Sequence, residues 1–300
     1  MVFITTYLKK FLIFLIESSD KLNKSKSISY TLFDYFYLKK IKKHSFKKLN
    51  SLIELGYYKL DNKFTDFVET INNRTPHLKL KKDTKYLKIY ETDTFIEDRV
   101  DELCNDNLRE TINDLSNLYM SNIYLANIKI AQNFHFEENV QKYSNFFHVD
   151  NNRCTLFKIF ISLENIKYDQ GPTQIIPNNK KDKFLKRTNY INRYNYDQSK
   201  KDFDIYQNIS SKGDALICNT SRCYHKAGVP QKNKSRKMMT LSFVAYPKVY
   251  GKYHHLDFLK NQELSQMHEK NFINYLSKSR DIFDNYKIYK DYEKFKSKNF

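Results

Sequence analysis

A chain of 300 residues, 40% apolar and 16% aromatic, can bury a core as one large domain or two small ones, and its composition excludes a disordered protein. Five glycines, at 56, 171, 213, 228 and 251, lie too far apart to form a glycine-rich dinucleotide site or a P-loop. The formal net charge of +18 attracts phosphate, but the cations run from Lys9 to Lys298 and no RRM, KH or zinc-finger signature accompanies them, so nucleic acid is not the expected partner.

At the start of the chain, Phe3, Tyr7, Leu8, Phe11, Leu12 and Leu15 share one face of a predicted amphipathic helix. The six-residue apolar run Phe11 to Ile16 is too short for a secretory signal, and no apolar run approaches the ~18 residues of a spanning helix, so no integral membrane segment is expected. Lys39, Lys40, Lys42, Lys43, Lys47 and Lys48 read as a solvated helix face. Val100, Leu103, Cys104, Leu108, Ile112, Leu115 and Leu118 then repeat at three and four residues, which predicts a second amphipathic helix.

The turn-forming residues change the picture downstream. Before Gly171 there are only Gly56 and Pro76; from Gly171 to Gly251 there are four glycines together with Pro172, Pro177, Pro230 and Pro247. Strand-like runs fall at Tyr124 to Phe134, Thr155 to Leu163, Gln174 to Ile176, Ala215 to Cys218 and Met238 to Tyr246. Helical spacing returns from Leu256 to Tyr292. The expectation is one domain over 1–300: a mostly helical part to 120, a mainly β core over 121–250, and a helical extension over 251–300. Cys104, Cys154, Cys218 and Cys223 show no zinc or redox spacing, which suits a reducing, cytoplasmic compartment.

Candidate chemistry starts at Phe146-Phe147-His148-Val149-Asp150, where His148 and Asp150 are i and i+2 and share one side of an extended segment. An imidazole and a carboxylate so placed can take adjacent positions on an octahedral metal, and a second histidine would complete a facial triad of the kind used by non-haem Fe(II) oxygenases. The other histidines suit loops, surfaces or an adjacent pair (His254 and His255) that cannot face one metal. His225, in Cys223-Tyr224-His225-Lys226-Ala227-Gly228, is the natural third ligand. Arg236 lies eleven positions later and shares a strand face with Met238 and Thr240. A guanidinium on the wall of a metal site suits a dicarboxylate whose far end it can grip with two hydrogen bonds.

Taken in order, these segments resemble the phytanoyl-CoA dioxygenase family of Fe(II)/2-oxoglutarate oxygenases over about Leu52 to Pro247. Gly56-Tyr57-Tyr58 is similar to the opening of its first β segment, and His148-Val149-Asp150 to its HxD. Lys158 to Leu163, followed by Asp169-Gln170-Gly171-Pro172 and Pro177, is similar to its long strand, acidic turn and GP stretch. Gly213-Asp214, His225 and Arg236 fit its GD, distal histidine and arginine. Pro177-Asn178-Asn179-Lys180 departs from the family's Pro-Gly-Ser-His, at a loop near the site mouth. The resemblance implies a cupin-like jelly roll (a double-stranded β-helix) with helices before and after it. It implies that His148, Asp150 and His225 hold Fe(II), that Arg236 pairs with the C5 carboxylate of 2-oxoglutarate, and that O2 is consumed with release of succinate and CO2. Halogenating relatives carry a small residue at the position of Asp150, so its carboxylate favours hydroxylation. Thr173, Lys158 and Gln132 are further candidates to reach the co-substrate, each matched by an ordinary strand-packing role. The expected partner is a small organic substrate, whose identity the residues do not specify. The readings set against this are a catalytically inactive jelly-roll binding protein, a basic nucleic-acid-binding protein, and a zinc hydrolase, which would leave Arg236 unexplained.

Overall fold

The structure is a computed structural model that describes residues 50–60, 63–118, 121–137, 145–150, 155–178, 185–187, 193–196, 205–221 and 223–247. The expected helices over Phe3 to Leu15 and Leu256 to Tyr292, the lysine cluster at 39–48, and Cys154 lie outside the described residues.

Before residue 121 the chain forms α1 (Asn50–Glu54), β1 (Tyr57–Leu60), α2 (Thr65–Arg74), β2 (Leu80–Thr84), β3 (Leu87–Tyr90), α3 (Thr94–Asn105) and α4 (Arg109–Leu118). Three strands therefore accompany the expected helices. The apolar repeat read as one helix from Val100 to Leu118 is two helices, broken around Asp106 and Asn107. Asparagine and aspartate there compete for backbone hydrogen bonds and favour turns, and Asp106 N–H closes α3 onto Glu102 O at 2.9 Å. All seven repeat residues are still buried. The split changes the path of the chain and keeps the apolar face.

The rest is β4 (Ser121–Phe134), β5 (Thr155–Ser162), β6 (Gln174–Ile176), β7 (Leu185–Arg187), β8 (Tyr194–Tyr196), β9 (Tyr206–Gln207), β10 (Ala215–Cys218), β11 (Tyr224–Lys226) and β12 (Ser235–Pro247). The larger sheet runs β1-β10-β5-β12-β4-β3-β2, and the smaller runs β11-β6-β9. Bridges at His148–His225 and Phe147–Tyr194 extend the smaller sheet through residues 147–148 to β8. From β4 to β12 the chain passes back and forth between two antiparallel sheets, leaving β10-β5-β12-β4 on one side and β9-β6-β11-147/148 on the other. That order is a double-stranded β-helix, a jelly roll.

Strand alternation separates the two faces of the larger sheet. Ile128 and Ile130 of β4, Ile159 and Ile161 of β5, Ile217 of β10, and Met239 and Leu241 of β12 enter the main core with Val100, Leu103, Ile112 and Leu115 of the helices. At about 25 cal/mol per Å² of apolar surface removed from water, this layer is the main source of stability. The opposite face looks into the barrel, where Leu216 and Cys218 pack with Ile175 of the smaller sheet. In register on this inner face stand Lys129 and Asn133 of β4, Arg236, Met238 and Thr240 of β12, and Lys158 and Phe160 of β5.

Gly171 fixes one wall of the barrel. Its φ of +67° is left-handed, and a Cβ there would lie 2.5 Å from Pro230 N and Val229 C. Gly171→Ala is expected to destabilise the fold by about 1–3 kcal/mol, seen as a lower urea midpoint with unchanged slope. An unchanged midpoint would contradict this packing.

Candidate metal centre

His148 and His225 are joined by backbone hydrogen bonds in both directions, His148 N–H to His225 O at 3.1 Å and His225 N–H to His148 O at 3.0 Å. Their side chains consequently project to the same side, with ring centroids 4.5 Å apart. Asp150, two residues on, is tied by its own N–H to Thr220 O at 2.7 Å. Asp150 Oδ1 then lies 3.8 Å from His148 Nε2, and Oδ2 lies 3.9 Å from His225 Nε2. One ligand atom from each of the three falls within 4.8 Å of the others, and the set could hold a metal ion.

Each imidazole is turned for that role. His148 Nδ1 lies 2.8 Å from Phe146 O, and His225 Nδ1 lies 3.2 Å from Cys223 O. A carbonyl only accepts, so both Nδ1 atoms donate and both Nε2 lone pairs are left facing Asp150. This is how a metal-binding histidine has its tautomer set by its other nitrogen. Burial lowers the His225 pKa to about 3 against the opposing charge of Asp150, and burial likewise lowers that of His148. Both rings are thus neutral, as ligation requires.

Asp150 is held ionised. Burial alone would raise its pKa, but the Lys158 ammonium and His225 outweigh burial and bring it to about 2. Lys158 Nζ approaches Asp150 Oδ2 at 2.7 Å. Hydrogen bonding from the Lys158 and Thr220 side chains lowers the pKa in the same direction. A largely buried carboxylate kept ionised between two imidazoles suits a cation nearby.

Arg236 lies in the same barrel and is 3% exposed. Its Nη1 donates to Gly171 O, and its Nη2 donates to Asn133 Oδ1 at 3.3 Å. Nε is buried with no partner among the described residues. Burial lowers its pKa to about 10 despite Glu164, so it stays charged at neutral pH.

The structure therefore brings Lys158 to the triad and places Arg236 on the same inner wall. Thr173 is buried beside β6, with its carbonyl accepting from Asn208 N–H at 2.8 Å. Gln132 is not brought to the site. It pairs in register with Lys237 on the helix-facing side, where it accepts from Tyr90 Oη at 3.2 Å and donates to Ser235 Oγ at 3.1 Å. Its neighbour Asn133 takes the inward position. In the departing loop, Asn178 N–H donates to Leu55 O at 3.1 Å, while Asn179 and Lys180 lie outside the described residues. Two inward or site-side cations escape sequence reasoning, Lys129 on β4 and Arg193, which the Phe147–Tyr194 bridge sets opposite His148.

No protein-family model matches the chain, and no curated protein matches it. Among solved structures, the chain is similar to the epimerase SnoN in complex with Fe3+, alpha ketoglutarate and nogalamycin RO, at 10% identity and a TM-score of 0.46 over 66% of this chain and 82% of that one. It is similar to HygX from Streptomyces hygroscopicus with nickel, 2-oxoglutarate and hygromycin B, at 14% identity and a TM-score of 0.49 over 67% and 87%. It is also similar to the carbocyclase SnoK from nogalamycin biosynthesis, at 12% identity and a TM-score of 0.45 over 72% and 91%. The jelly-roll assignment stands on the strand order itself.

The depressed pKa values carry a sign. An unfolded chain protonates its histidines near pH 6.5, and native His225 resists this down to about 3, so acidification across that window favours unfolding. Asp150 acts in the same direction, because stability from its lowered pKa is present above about 3.9 and lost as pH falls toward 2. Metal-free protein is expected to lose thermal stability as pH drops below about 6.5, and His225→Gln is expected to flatten that slope. Parallel slopes for the two proteins would contradict the neutral, buried His225.

Proposed function

We propose that the chain is an Fe(II)/2-oxoglutarate-dependent dioxygenase that hydroxylates a small organic substrate, with release of succinate and CO2. The observation that carries this reading is the pairing of a two-histidine, one-carboxylate cluster with a buried arginine on the same barrel wall. Three protein ligands on one face leave the remaining positions of an octahedral ion for other molecules. A bound Fe(II) would supply oxygen activation there.

The chain's own residues do the positioning. His148, Asp150 and His225 would hold the ion through Nε2, one carboxylate oxygen and Nε2. Arg236 would receive the C5 carboxylate of 2-oxoglutarate, since its unpartnered Nε adds a donor to a guanidinium already aimed by Gly171 and Asn133. The barrel walls at Ile175, Leu216 and Phe160 keep water from the reacting groups. Asp150 occupies the position at which a smaller side chain would admit halide, and this favours hydroxylation. Thr173 stays a candidate for the co-substrate wall. The three cysteines described, Cys104, Cys218 and Cys223, are buried and form no disulfide among the described residues, which supports a reducing, cytoplasmic setting. Among the described residues no helix is long and apolar enough to cross a membrane.

Oxygen-dependent succinate formation from 2-oxoglutarate, screened against metabolite pools, tests the reaction. Its absence with Fe(II) loaded would favour an inactive binding protein. His148→Ala and His225→Ala are each expected to abolish turnover and iron retention, and full activity in either would remove that residue from the centre. Arg236→Gln is expected to raise the KM for 2-oxoglutarate at least about tenfold, from loss of a charge-assisted hydrogen bond worth roughly 1.5–3 kcal/mol. Fe(II) affinity should stay near wild type. Arg236→Lys should recover only part, because it lacks the planar fork. Equal 2-oxoglutarate affinity in wild type and Arg236→Gln would sink this assignment.

A further inference from the structure

The proposed reaction leaves the barrel interior with too much positive charge. Lys158 sits at Asp150, Lys129 stands in the β4 row that faces Thr240 and Phe160, and Arg236 lies under Gly171. These three cations share one inner face with one another's fields. Burial lowers the pKa of Lys129, and the charges of Lys158 and Arg236 lower it further. No carboxylate among the described residues pairs with Lys129. Asp150 is one anion for the three. Glu164 also reaches Arg236, while accepting from Lys237 N–H at 2.9 Å and facing the Lys237 charge, and Arg193 adds a further cation beside His148.

A divalent metal and a dicarboxylate cancel each other. With Fe(II) and 2-oxoglutarate seated, Lys129, Lys158, Arg193 and Arg236 still exceed the carboxylates Asp150 and Glu164 by two positive charges among the described residues, in an interior only partly open to water. Such charge is costly unless it is paired. A single carboxylate would meet half of it. A phosphate monoester carries close to two negative charges at neutral pH and three acceptor oxygens.

We infer that the substrate of this site carries a phosphate-monoester group, held by Lys129 and Lys158 on the inner face of the larger sheet. The inference rests on the 2-oxoglutarate reading, because the dicarboxylate determines which cations remain. Lys158 spans the two functions, with its ammonium placed to bridge the metal-binding carboxylate and the phosphate. Lys129 supplies the second charge from β4, on the far side of β12. The excess charge of the whole chain, +18, would steer such a substrate toward the protein.

The test uses the full chain loaded with Co(II), which does not turn over, and saturating 2-oxoglutarate. Inorganic phosphate and acetate are titrated separately by calorimetry. Phosphate is expected to bind saturably and acetate at least tenfold more weakly. Lys129→Gln and Lys158→Gln should each weaken phosphate at least about tenfold, the loss of one charge-assisted contact, while in Lys129→Gln 2-oxoglutarate affinity changes less than about threefold. The two variants lie on different strands, so a folding defect in one leaves the other to decide. Acetate binding as tightly as phosphate, or unchanged phosphate affinity in a folded variant, would overturn the inference. So would a variant that loses 2-oxoglutarate in place of phosphate, since that lysine would then belong to the co-substrate. Failure of wild type to take up 2-oxoglutarate would instead bring down the reaction itself, and uptake of 2-oxoglutarate without phosphate would bring down this inference alone.

Discussion

Two backbone hydrogen bonds between His148 and His225 set the geometry on which everything at the site depends. They join two segments far apart in sequence, and strand pleating then sends both imidazoles to one side. Asp150 follows two residues later, on the same side, with its backbone fixed to Thr220. The carbonyls of Phe146 and Cys223 fix the ring tautomers from the same two segments. The fold supplies the position, rotation and proton placement of both rings through local backbone contacts, and Lys158 holds the carboxylate.

The remainder of the barrel can be understood as support for that arrangement. The helix-facing side of the larger sheet is apolar and buried, and it bears the stability. The inner side can then carry Lys129, Lys158 and Arg236 at positions that a core-facing strand would fill with aliphatic residues. Gly171 links the two requirements: only a residue without Cβ fits against Pro230, and its carbonyl receives Arg236. A single interior thus concentrates buried, charged groups of the kind expected where ligands bind.

Much of this was legible in the residues because the signals were local. The boundaries of β6 and β10 were readable since short apolar runs end at turn formers, and the HxD pair announces its own geometry. Long-range facts were less accessible. β2 (Leu80–Thr84) is short, polar and at the sheet edge, so nothing in its composition marks it as a strand. The break between α3 and α4 hides because the apolar spacing continues across it. Gln132 illustrates a signal that was present in the sequence. Ile128, Ile130 and Gln132 are in phase, while Asn127, Lys129 and Asn133 alternate with them, so the phase of these three polar residues marks the barrel interior and Gln132 belongs to the other face. Arg193 had no such marker, since its place beside His148 comes from a bridge between segments distant in sequence.

The most direct test of the metal centre is X-ray absorption on the anaerobic Fe(II) protein. The account predicts one iron per chain, an octahedral site, and two imidazole nitrogens, falling to one in His225→Ala if any iron is retained. A sulfur ligand from Cys218 or Cys223, or an unchanged imidazole count in that variant, would contradict it.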